Sequence, residues 1–382
     1  MMRLIMVQHQ YIERETHSVC NEQLYWDRII NFFYSSVRES SPVLFRALTG
    51  PRLSKILSFI AYEVFLGQKL SGNRGFLRRC GIDLRECIEK AEFYDTARKI
   101  FERQIRYWET RPMPEDPRAV VSPADARVLV GSLSDTKLLF IKEKFFEFEQ
   151  LLGRNRPRWL KTFSGGDFAI FRLTPDKYHY NHTPVAGKVV DFYEIPGSYH
   201  SCNPGAVVIT VTPYSMNKRV ITIFDTDIPG GSHVGFVAMI EVVALMIGDI
   251  VQCYSEEKYD NPRDIAPGMF VKKGAPKSLY RPGSSTDILI FQRDRIRFAE
   301  DILLNRLHGE AQSRFTLGFG VNLVETDVKV RSLLGLSLLS PPKTNDPPVI
   351  YFTPTCPDKK ATMTQARHHI LPENTKVLRE YQ

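Results

Sequence analysis

The stretch VITIFDTDIPGGSHVGFVAMIEVV, residues 220–243, is the part of the sequence that decides the fold. Two apolar runs rich in β-branched residues, Val220–Asp225 and Val234–Val243, flank a Pro-Gly-Gly triplet at 229–231 that favours a turn. Consecutive strands joined by a short turn pair antiparallel. The stretch therefore predicts a β-hairpin within an antiparallel sheet.

Similar short runs continue on both sides of this hairpin. Residues up to about 109 instead have helical spacing, and the proline-rich segment RPMPEDP at 111–117 ends that pattern. The predicted fold class is therefore α+β, with a helical N-terminal region followed by a mainly antiparallel β catalytic domain. Further strands are predicted at Val128–Leu133, Lys137–Glu143, Phe168–Leu173, Ala206–Thr212 and Ile288–Phe291. A short helix or turn is predicted at Phe145–Leu152, and a helix at Phe298–Leu307.

Three sections follow from this pattern. Residues 1–110 form a helical region suited to a membrane surface, and residues 118–300 form the β-rich catalytic domain. Residues 301–382 form a C-terminal extension that ends in an irregular tail.

Composition restricts the class of protein. A chain of 382 residues with 43% apolar content can bury a core, so it is globular. The net charge of +8 favours an anionic partner. The six cysteines lie far apart without a C-x-x-C pair, which favours a reducing compartment over a disulfide-rich secreted class.

The apolar face of Leu53–Val64 has the spacing of a helix, with basic residues nearby. The segment is too short to span a bilayer, and Glu63 interrupts it. The start of the sequence has no signal-peptide pattern. We expect a peripheral membrane protein on the cytoplasmic side, although a helix packed on the protein's own core fits the same pattern.

Three stretches carry unusual chemistry: VVSPADARV at 120–128, RLTPDKYHYNHTPVAG at 172–187 and KKGAPKSLYRPGSST at 272–286. At Gly283-Ser284 an unhindered glycine carbonyl lies beside a serine hydroxyl, which permits an N-to-O acyl shift. Elimination of the resulting ester, followed by hydrolysis, would leave a pyruvoyl group on residue 284. Taken alone, a Gly-Ser-Ser sequence is more often an ordinary turn.

Ser284, His182 and Asp125 can act as nucleophile, base and orienting carboxylate, in any chain order. His179 and His182 are three residues apart, but no third ligand with zinc-like spacing is near them. The sequence therefore predicts no metal site.

In this order the three stretches resemble the signatures of the phosphatidylserine decarboxylase family: serine-proline-x-aspartate, tyrosine-histidine-x-x-histidine-x-proline, and a glycine-serine cleavage site after a lysine-glycine turn. The resemblance extends from about Ile105 to Phe291. Ala126 departs from the usual glycine after the aspartate, and Tyr180 from the usual arginine after the first histidine. Neither change removes a proposed catalytic group.

The resemblance implies that Asp125 and His182 act with Ser284 in self-cleavage, and that His179 handles a proton during decarboxylation. The products, residues 1–283 and 284–382, would remain associated as a two-chain heterodimer, with further homo-oligomerisation open. Ser284 would become a covalent pyruvoyl cofactor, which serves as an electron sink. Counting back from Phe291 would place the cut at Ser285 instead, but only Ser284 follows a glycine.

The leading functional hypothesis is conversion of phosphatidylserine to phosphatidylethanolamine on an anionic phospholipid surface. The first alternative is decarboxylation of a free amino acid or another amino-carboxylate by the same cofactor. The second is an uncleaved, inactive lipid-binding module. A nucleic-acid partner is not expected, because the basic residues are dispersed.

Overall fold

The predicted hairpin lies inside a ten-stranded sheet in the computed structural model of the protein. Its strands, Arg219–Asp225 and Phe236–Val242, pair antiparallel from Arg219 opposite Val242 to Asp225 opposite Phe236. The structure describes residues 7–24, 27–50, 52–53, 56, 81–134, 145–210, 212–245, 249–281 and 285–339.

The described strands form one large and two small sheets. The strands are β1 (Gln10–Glu13), β2 (Val19–Asn21), β3 (Ala119–Val121), β4 (Ala126–Ser132), β5 (Asp167–Leu173), β6 (Tyr180–His182), β7 (Gly187–Ile195), β8 (Arg219–Asp225), β9 (Phe236–Val242), β10 (Ile250–Gln252), β11 (Phe270–Val271), β12 (Pro276–Tyr280), β13 (Ser285–Phe291), β14 (Ile296–Phe298), β15 (Glu325–Val328) and β16 (Leu333–Ser337). The large sheet has the order β11-β7-β8-β9-β13-β5-β4-β15-β1-β2, and the small ones have the orders β10-β12-β6 and β14-β16-β3. All neighbours in the large sheet are antiparallel except β1 with β15.

The helices of the described residues are all short, and none has the length and apolar content that a membrane span requires. The α-helices are Asp27–Phe32, Arg38–Ser40, Pro42–Leu48, Ala97–Phe101, Tyr107–Thr110, Phe148–Leu152, Pro157–Phe163, Pro204–Ile209, Pro213–Met216, Glu300–Arg306 and Arg314–Phe319, with a π-helix at Phe33–Val37 and 3-10 helices at Leu84–Glu86 and Ala91–Phe93.

The α+β prediction is confirmed, and five of the predicted strands coincide with β4, β5, β8, β9 and β13. The predicted helices at 145–152 and 298–307 correspond to Phe148–Leu152 and Glu300–Arg306. The predicted strand Lys137–Glu143, residues 57–64 of the amphipathic segment and the tail from residue 340 lie outside the described residues.

The strand predicted at Ala206–Thr212 is wrong, because Pro204–Ile209 is a helix. Asn203 caps it by accepting a hydrogen bond from Gly205 N at 2.8 Å, and Pro204 occupies the first turn. The helix packs closely against Arg314–Phe319: a Cβ added to Gly318 would lie 2.3 Å from Val208 Cγ1. Tertiary packing therefore overrides the β propensity of the Val-Val-Ile sequence.

The expectation of helix throughout the first 109 residues is wrong in part. The start of the chain contains β1 and β2, and β1 joins β15 in the large sheet. Strands from all three predicted sections therefore share one sheet, and the division at residues 110 and 300 remains a prediction.

The centre of the large sheet is where the core and the candidate site meet. β13 is buried along its whole length between β9 and β5. It begins at Ser285, directly after the predicted cut, so the fold anchors the residues that follow the cut in the core.

Candidate active site

The predicted histidines lie at the two ends of β6. His179 immediately precedes the strand, and His182 is its last residue. β6 pairs with β12, where Pro276 is opposite His182 and Leu279 is opposite Tyr180. Both imidazole rings are completely buried. Pairing with β12, the strand that precedes the predicted cut in the sequence, therefore fixes the backbone of the histidine segment.

His182 is held through both ring nitrogens. Its Nδ1 lies 2.9 Å from Gly274 O, and its Nε2 lies 3.0 Å from the Tyr178 hydroxyl, which is 2.7 Å from the Tyr259 hydroxyl. Because a carbonyl only accepts hydrogen bonds, Nδ1 carries the proton, and the lone pair of Nε2 faces the Tyr178 hydroxyl. Burial lowers the pKa of His182 to about 3, so the ring is neutral near pH 7 and able to accept a proton.

His179 has one free nitrogen. Its Nδ1 lies 2.7 Å from Lys177 O, and its ring stacks on Phe101 with centroids 3.5 Å apart. Among the described residues, the buried Nε2 has no hydrogen-bond partner. Burial, reinforced by the Arg103 charge, holds the pKa of His179 well below its usual range. His179 is therefore a neutral imidazole, and within the described residues the lone pair of its Nε2 has no hydrogen-bond partner.

Asp125 lies in the turn between β3 and β4. Its Oδ1 accepts from Arg111 Nε at 3.0 Å and from Val330 N at 2.8 Å, and its Oδ2 accepts from Arg111 Nη2 at 2.8 Å. Burial alone would raise the pKa of Asp125, but Arg111, Lys177 and the Val330 hydrogen bond together lower it to about 2. Asp125 is therefore a buried, ionised carboxylate.

The structure brings the Asp125 and His182 segments together through the main chain, since His182 N donates to Pro123 O at 2.7 Å. The side chains are engaged elsewhere: the Asp125 carboxylate binds Arg111, and the His182 ring binds Tyr178 and Gly274. The expected hydrogen bond between the Asp125 carboxylate and the His182 imidazole is therefore replaced by bonds from each of these side chains to other residues.

The predicted cleavage site, Gly283-Ser284, lies outside the described residues. Ser285 begins β13 opposite Leu173 of β5, and it is completely buried. Within the described part of the chain, its Oγ has no hydrogen-bond partner. The chain continues from Leu173, the last residue of β5, through residues 174–178 to His179. β13 and the segment that leads to the histidines therefore both begin at the same end of β5.

Sequence reasoning missed Arg111, Tyr178 and Tyr259. Arg111 belongs to the segment that the sequence identifies only as a helix break, and it also binds Glu86 through Nη1 and Nη2 at 2.9 Å. Tyr178 lies inside the histidine motif, but its spacing does not predict which ring atom it contacts. No local pattern indicates that Tyr259, 81 residues away, would reach it.

One further cluster has the composition of a metal site. His9, Glu22 and Glu325 are buried, and their potential ligand atoms lie within 4.8 Å of one another. The Arg172 guanidinium already forms ion pairs at 2.5 Å with both carboxylates. The positive charge of the Arg172 side chain therefore already compensates the two carboxylates.

The chain is similar to phosphatidylserine decarboxylases. A sequence model of that family, described as "Phosphatidylserine decarboxylase", matches residues 97–306. A phosphatidylserine decarboxylase proenzyme from Chlamydia trachomatis is 31% identical over 299 residues, covering 77% of this chain and 90% of the relative. A proenzyme of the same name from Ruminiclostridium cellulolyticum is 29% identical over 301 residues, covering 78% of this chain and 93% of the relative. Another, from Fusobacterium nucleatum, is 28% identical over 316 residues, covering 81% and 95%.

Proposed function

This chain belongs to the phosphatidylserine decarboxylase family, and from that premise we propose that it cuts itself between Gly283 and Ser284 and converts phosphatidylserine to phosphatidylethanolamine and carbon dioxide. The observation that carries the proposal is sequence similarity over 77% of the chain to relatives named as proenzymes. All three motifs, from residue 120 to residue 286, lie inside the matched region 97–306.

In the proposed self-cleavage, the Ser284 hydroxyl attacks the Gly283 carbonyl. The peptide C–N bond between Gly283 and Ser284 then breaks as the ester forms, and the Ser284 nitrogen takes a proton. Removal of the Ser284 α-proton breaks the ester C–O bond, leaving Gly283 with a carboxylate and residue 284 as dehydroalanine. Water then releases ammonia and leaves a carbonyl at that position. His182 would accept the hydroxyl proton at Nε2 in place of its contact with the Tyr178 hydroxyl. Burial and the Arg331 and Arg111 charges oppose the protonated ring, whereas the hydrogen bond to Gly274 O and the Asp125 charge favour it.

Two buried polar atoms of the proposed site would suit a pyruvoyl group formed at residue 284. Within the described residues, Ser285 Oγ and His179 Nε2 have no partners, so each is available to a group formed there or to a substrate. A pyruvoyl carbonyl supplies an electron sink for the electron pair released when a carboxylate leaves as carbon dioxide. His179, oriented by Lys177 O, would hold a proton at Nε2 and deliver it to the substrate α-carbon.

The two products are proposed to stay together. β12 lies in residues 1–283, and β13 lies in residues 284–382. β13 is hydrogen-bonded on both edges to strands of the first product, β5 and β9. Separating the products would expose a wholly buried strand, which favours a stable two-chain heterodimer.

We also propose a peripheral location on the cytoplasmic side of an anionic membrane. The helices between residues 27 and 48 expose Ile29, Phe32, Val43 and Leu44 by 60%, 61%, 79% and 50%. Arg46 lies on the same helix as Val43 and Leu44. Apolar side chains beside cations are typical of surfaces that bind anionic lipid. Val43→Glu should weaken co-sedimentation with vesicles containing phosphatidylglycerol, and equal binding by variant and wild type would contradict this placement.

The activity is tested by supplying phosphatidylserine vesicles or free L-serine and measuring carbon dioxide and the amine product by mass spectrometry. We expect both products from the lipid with the wild type and neither with Ser284→Ala. Carbon dioxide from serine but not from the lipid would favour the amino-acid decarboxylase. Vesicle binding without cleavage or carbon dioxide would favour the inactive lipid-binding module.

A further inference from the structure

Tyr280 and Asp287 form a buried contact that spans the predicted cut. Tyr280 is the last residue of β12, and Asp287 is the third residue of β13. The Tyr280 hydroxyl is 2.7 Å from Asp287 Oδ1 and 3.0 Å from Thr286 O. Both side chains are completely buried. One hydroxyl therefore binds two successive residues on the far side of the cut.

Tyr280 also connects this contact to the histidine segment. Its backbone N–H donates to His179 O at 3.1 Å, at the end of the ladder between β12 and β6. Asp287 in turn lies opposite Glu241 of β9 and Phe171 of β5. The Tyr280 residue thus links the start of β13 to the backbone of His179.

Cleavage changes what this contact must do. Before the cut, the covalent chain limits how far Thr286 and Asp287 can move from Tyr280. After the cut, Tyr280 belongs to one product and Asp287 to the other, so the contact becomes intermolecular. A new chain terminus frays unless noncovalent bonds hold it, and displacement of a reacting group by about 1 Å can reduce a rate roughly a hundredfold.

We propose that Tyr280 and Asp287 are positioning residues that hold the start of β13, in the second chain, in register with β12 and the backbone of His179 after cleavage. The inference rests on the proposed function. It is independent of whether Ser284 or Ser285 is cut, because both lie between Tyr280 and Asp287.

The chemistry of Asp287 supports a role beyond packing. Its Oδ2 has no hydrogen-bond partner among the described residues, although the side chain is fully buried. Burial, followed by the charge of Glu241, raises the pKa of Asp287 well above its usual range, which favours the neutral form of the side chain. A buried polar atom without a partner destabilises the fold, and such atoms are concentrated at functional sites.

Four single variants and one double variant test this inference. Tyr280→Phe removes the hydroxyl, Asp287→Ala removes the acceptor, and Asp287→Asn keeps a neutral side chain with an acceptor oxygen. Tyr193→Phe is the matched control, because it removes a buried hydroxyl that donates to Leu152 O at 2.8 Å and belongs to no part of the proposed site. For each variant, intact mass gives the extent of cleavage, and carbonyl titration with phenylhydrazine gives the concentration of active sites.

We expect Tyr280→Phe and Asp287→Ala to be cut, with kcat per titrated carbonyl reduced roughly tenfold to a hundredfold. Their KM should stay within about threefold of the wild type, because both side chains are completely buried and the protein surface is unchanged. Asp287→Asn and Tyr193→Phe should retain the wild-type kcat. The Tyr280→Phe/Asp287→Ala double variant should be no slower than Tyr280→Phe, since removal of the Tyr280 hydroxyl already removes the bond to Asp287.

A wild-type kcat per carbonyl in Tyr280→Phe would overturn the inference while leaving the proposed function intact. So would a folded Tyr280→Phe protein that remains uncut, because the pair would then act before cleavage. A wild-type protein that is itself uncut and inactive would instead overturn the proposed function. Thermal unfolding beside Tyr193→Phe separates loss of positioning from loss of stability.

Discussion

Replacing Arg111 with glutamine tests the electrostatics that the structure places around Asp125. The pKa of this buried carboxyl falls from an ordinary value of 3.8 to about 2, with Arg111 as the main cause of the lowering. At 1.36 kcal/mol per unit, this shift corresponds to about 2.5 kcal/mol. Removing one partner of a buried pair also leaves the other charge uncompensated, which typically costs about 3–5 kcal/mol. We expect Arg111→Gln to lower the free energy of unfolding by about 3 kcal/mol at pH 7.5.

The pH dependence gives the sign of the effect. In the wild type the folded pKa of Asp125 is depressed, so its stabilising contribution is complete above pH 3.8 and is lost as the pH falls through about 2. In Arg111→Gln, burial is no longer opposed by the guanidinium, so the pKa of Asp125 rises. The deficit of the variant should therefore shrink as the pH is lowered from about 7.5 to about 5.

The assay is urea unfolding in a Ser284→Ala background, so that every protein is a single uncut chain. Asp125→Asn and the Arg111→Gln/Asp125→Asn double variant complete a thermodynamic cycle. Arg118→Gln is the matched control, because its pair with Asp116 is exposed by 38% and 34% and should contribute less than about 1 kcal/mol. Arg111→Gln that loses no more stability than this control, or two substitutions whose effects simply add, would refute the reasoning.

Three further predictions follow from the buried histidines and the helix packing. His182→Asn should remain uncut, whereas His179→Asn should be cut but should lose roughly a hundredfold in kcat. Gel electrophoresis measures the cleavage and a carbon dioxide assay measures kcat, and equal cleavage defects in the two variants would contradict the assignment. Burial holds the pKa of His182 at about 3 and that of His200 at about 4, below the ordinary 6.5. The free energy of unfolding should therefore fall as the pH drops from about 6.5 to about 4, by up to about 1.4 kcal/mol per pH unit for each histidine. Urea unfolding of Ser284→Ala across this range checks this, His200→Gln should flatten the curve, and a curve unchanged by that substitution would contradict it. Gly318→Ala should destabilise the fold by roughly 1–3 kcal/mol, because the added Cβ would lie 2.3 Å from Val208 Cγ1. Gly309→Ala is the control, because a Cβ at Gly309 would meet open space. Similar melting temperatures for the two variants would contradict the close contact between the helices.

The strands of the central sheet could be predicted because each combines β-branched residues with a turn signal at its end. The helix Pro204–Ile209 could not, since its Val-Val-Ile sequence favours a strand and its helical state depends on packing against Gly318. β1 is also hidden from sequence reasoning. Its four residues, QYIE, lack strict alternation, and their pairing with β15 joins positions more than 300 residues apart.

The candidate site divides in the same way. The resemblance of the motifs predicts that Asp125 and His182 act together, and the fold brings their segments together through the hydrogen bond from His182 N to Pro123 O. The partners of these side chains come from elsewhere in the chain: Arg111 binds Asp125, and Tyr259 completes the hydrogen bonds that begin at His182. Such partners depend on tertiary geometry, so the sequence could indicate the residue types of the site but not its hydrogen-bond network.

The most direct test of self-cleavage is the intact mass of the denatured wild-type protein beside Ser284→Ala. The account predicts two chains, residues 1–283 and 284–382, the second with a carbonyl in place of its amino group, and a single uncut chain for the variant. A wild type that remains one full-length chain would contradict the account, and a second chain beginning at residue 285 would move the cofactor to Ser285.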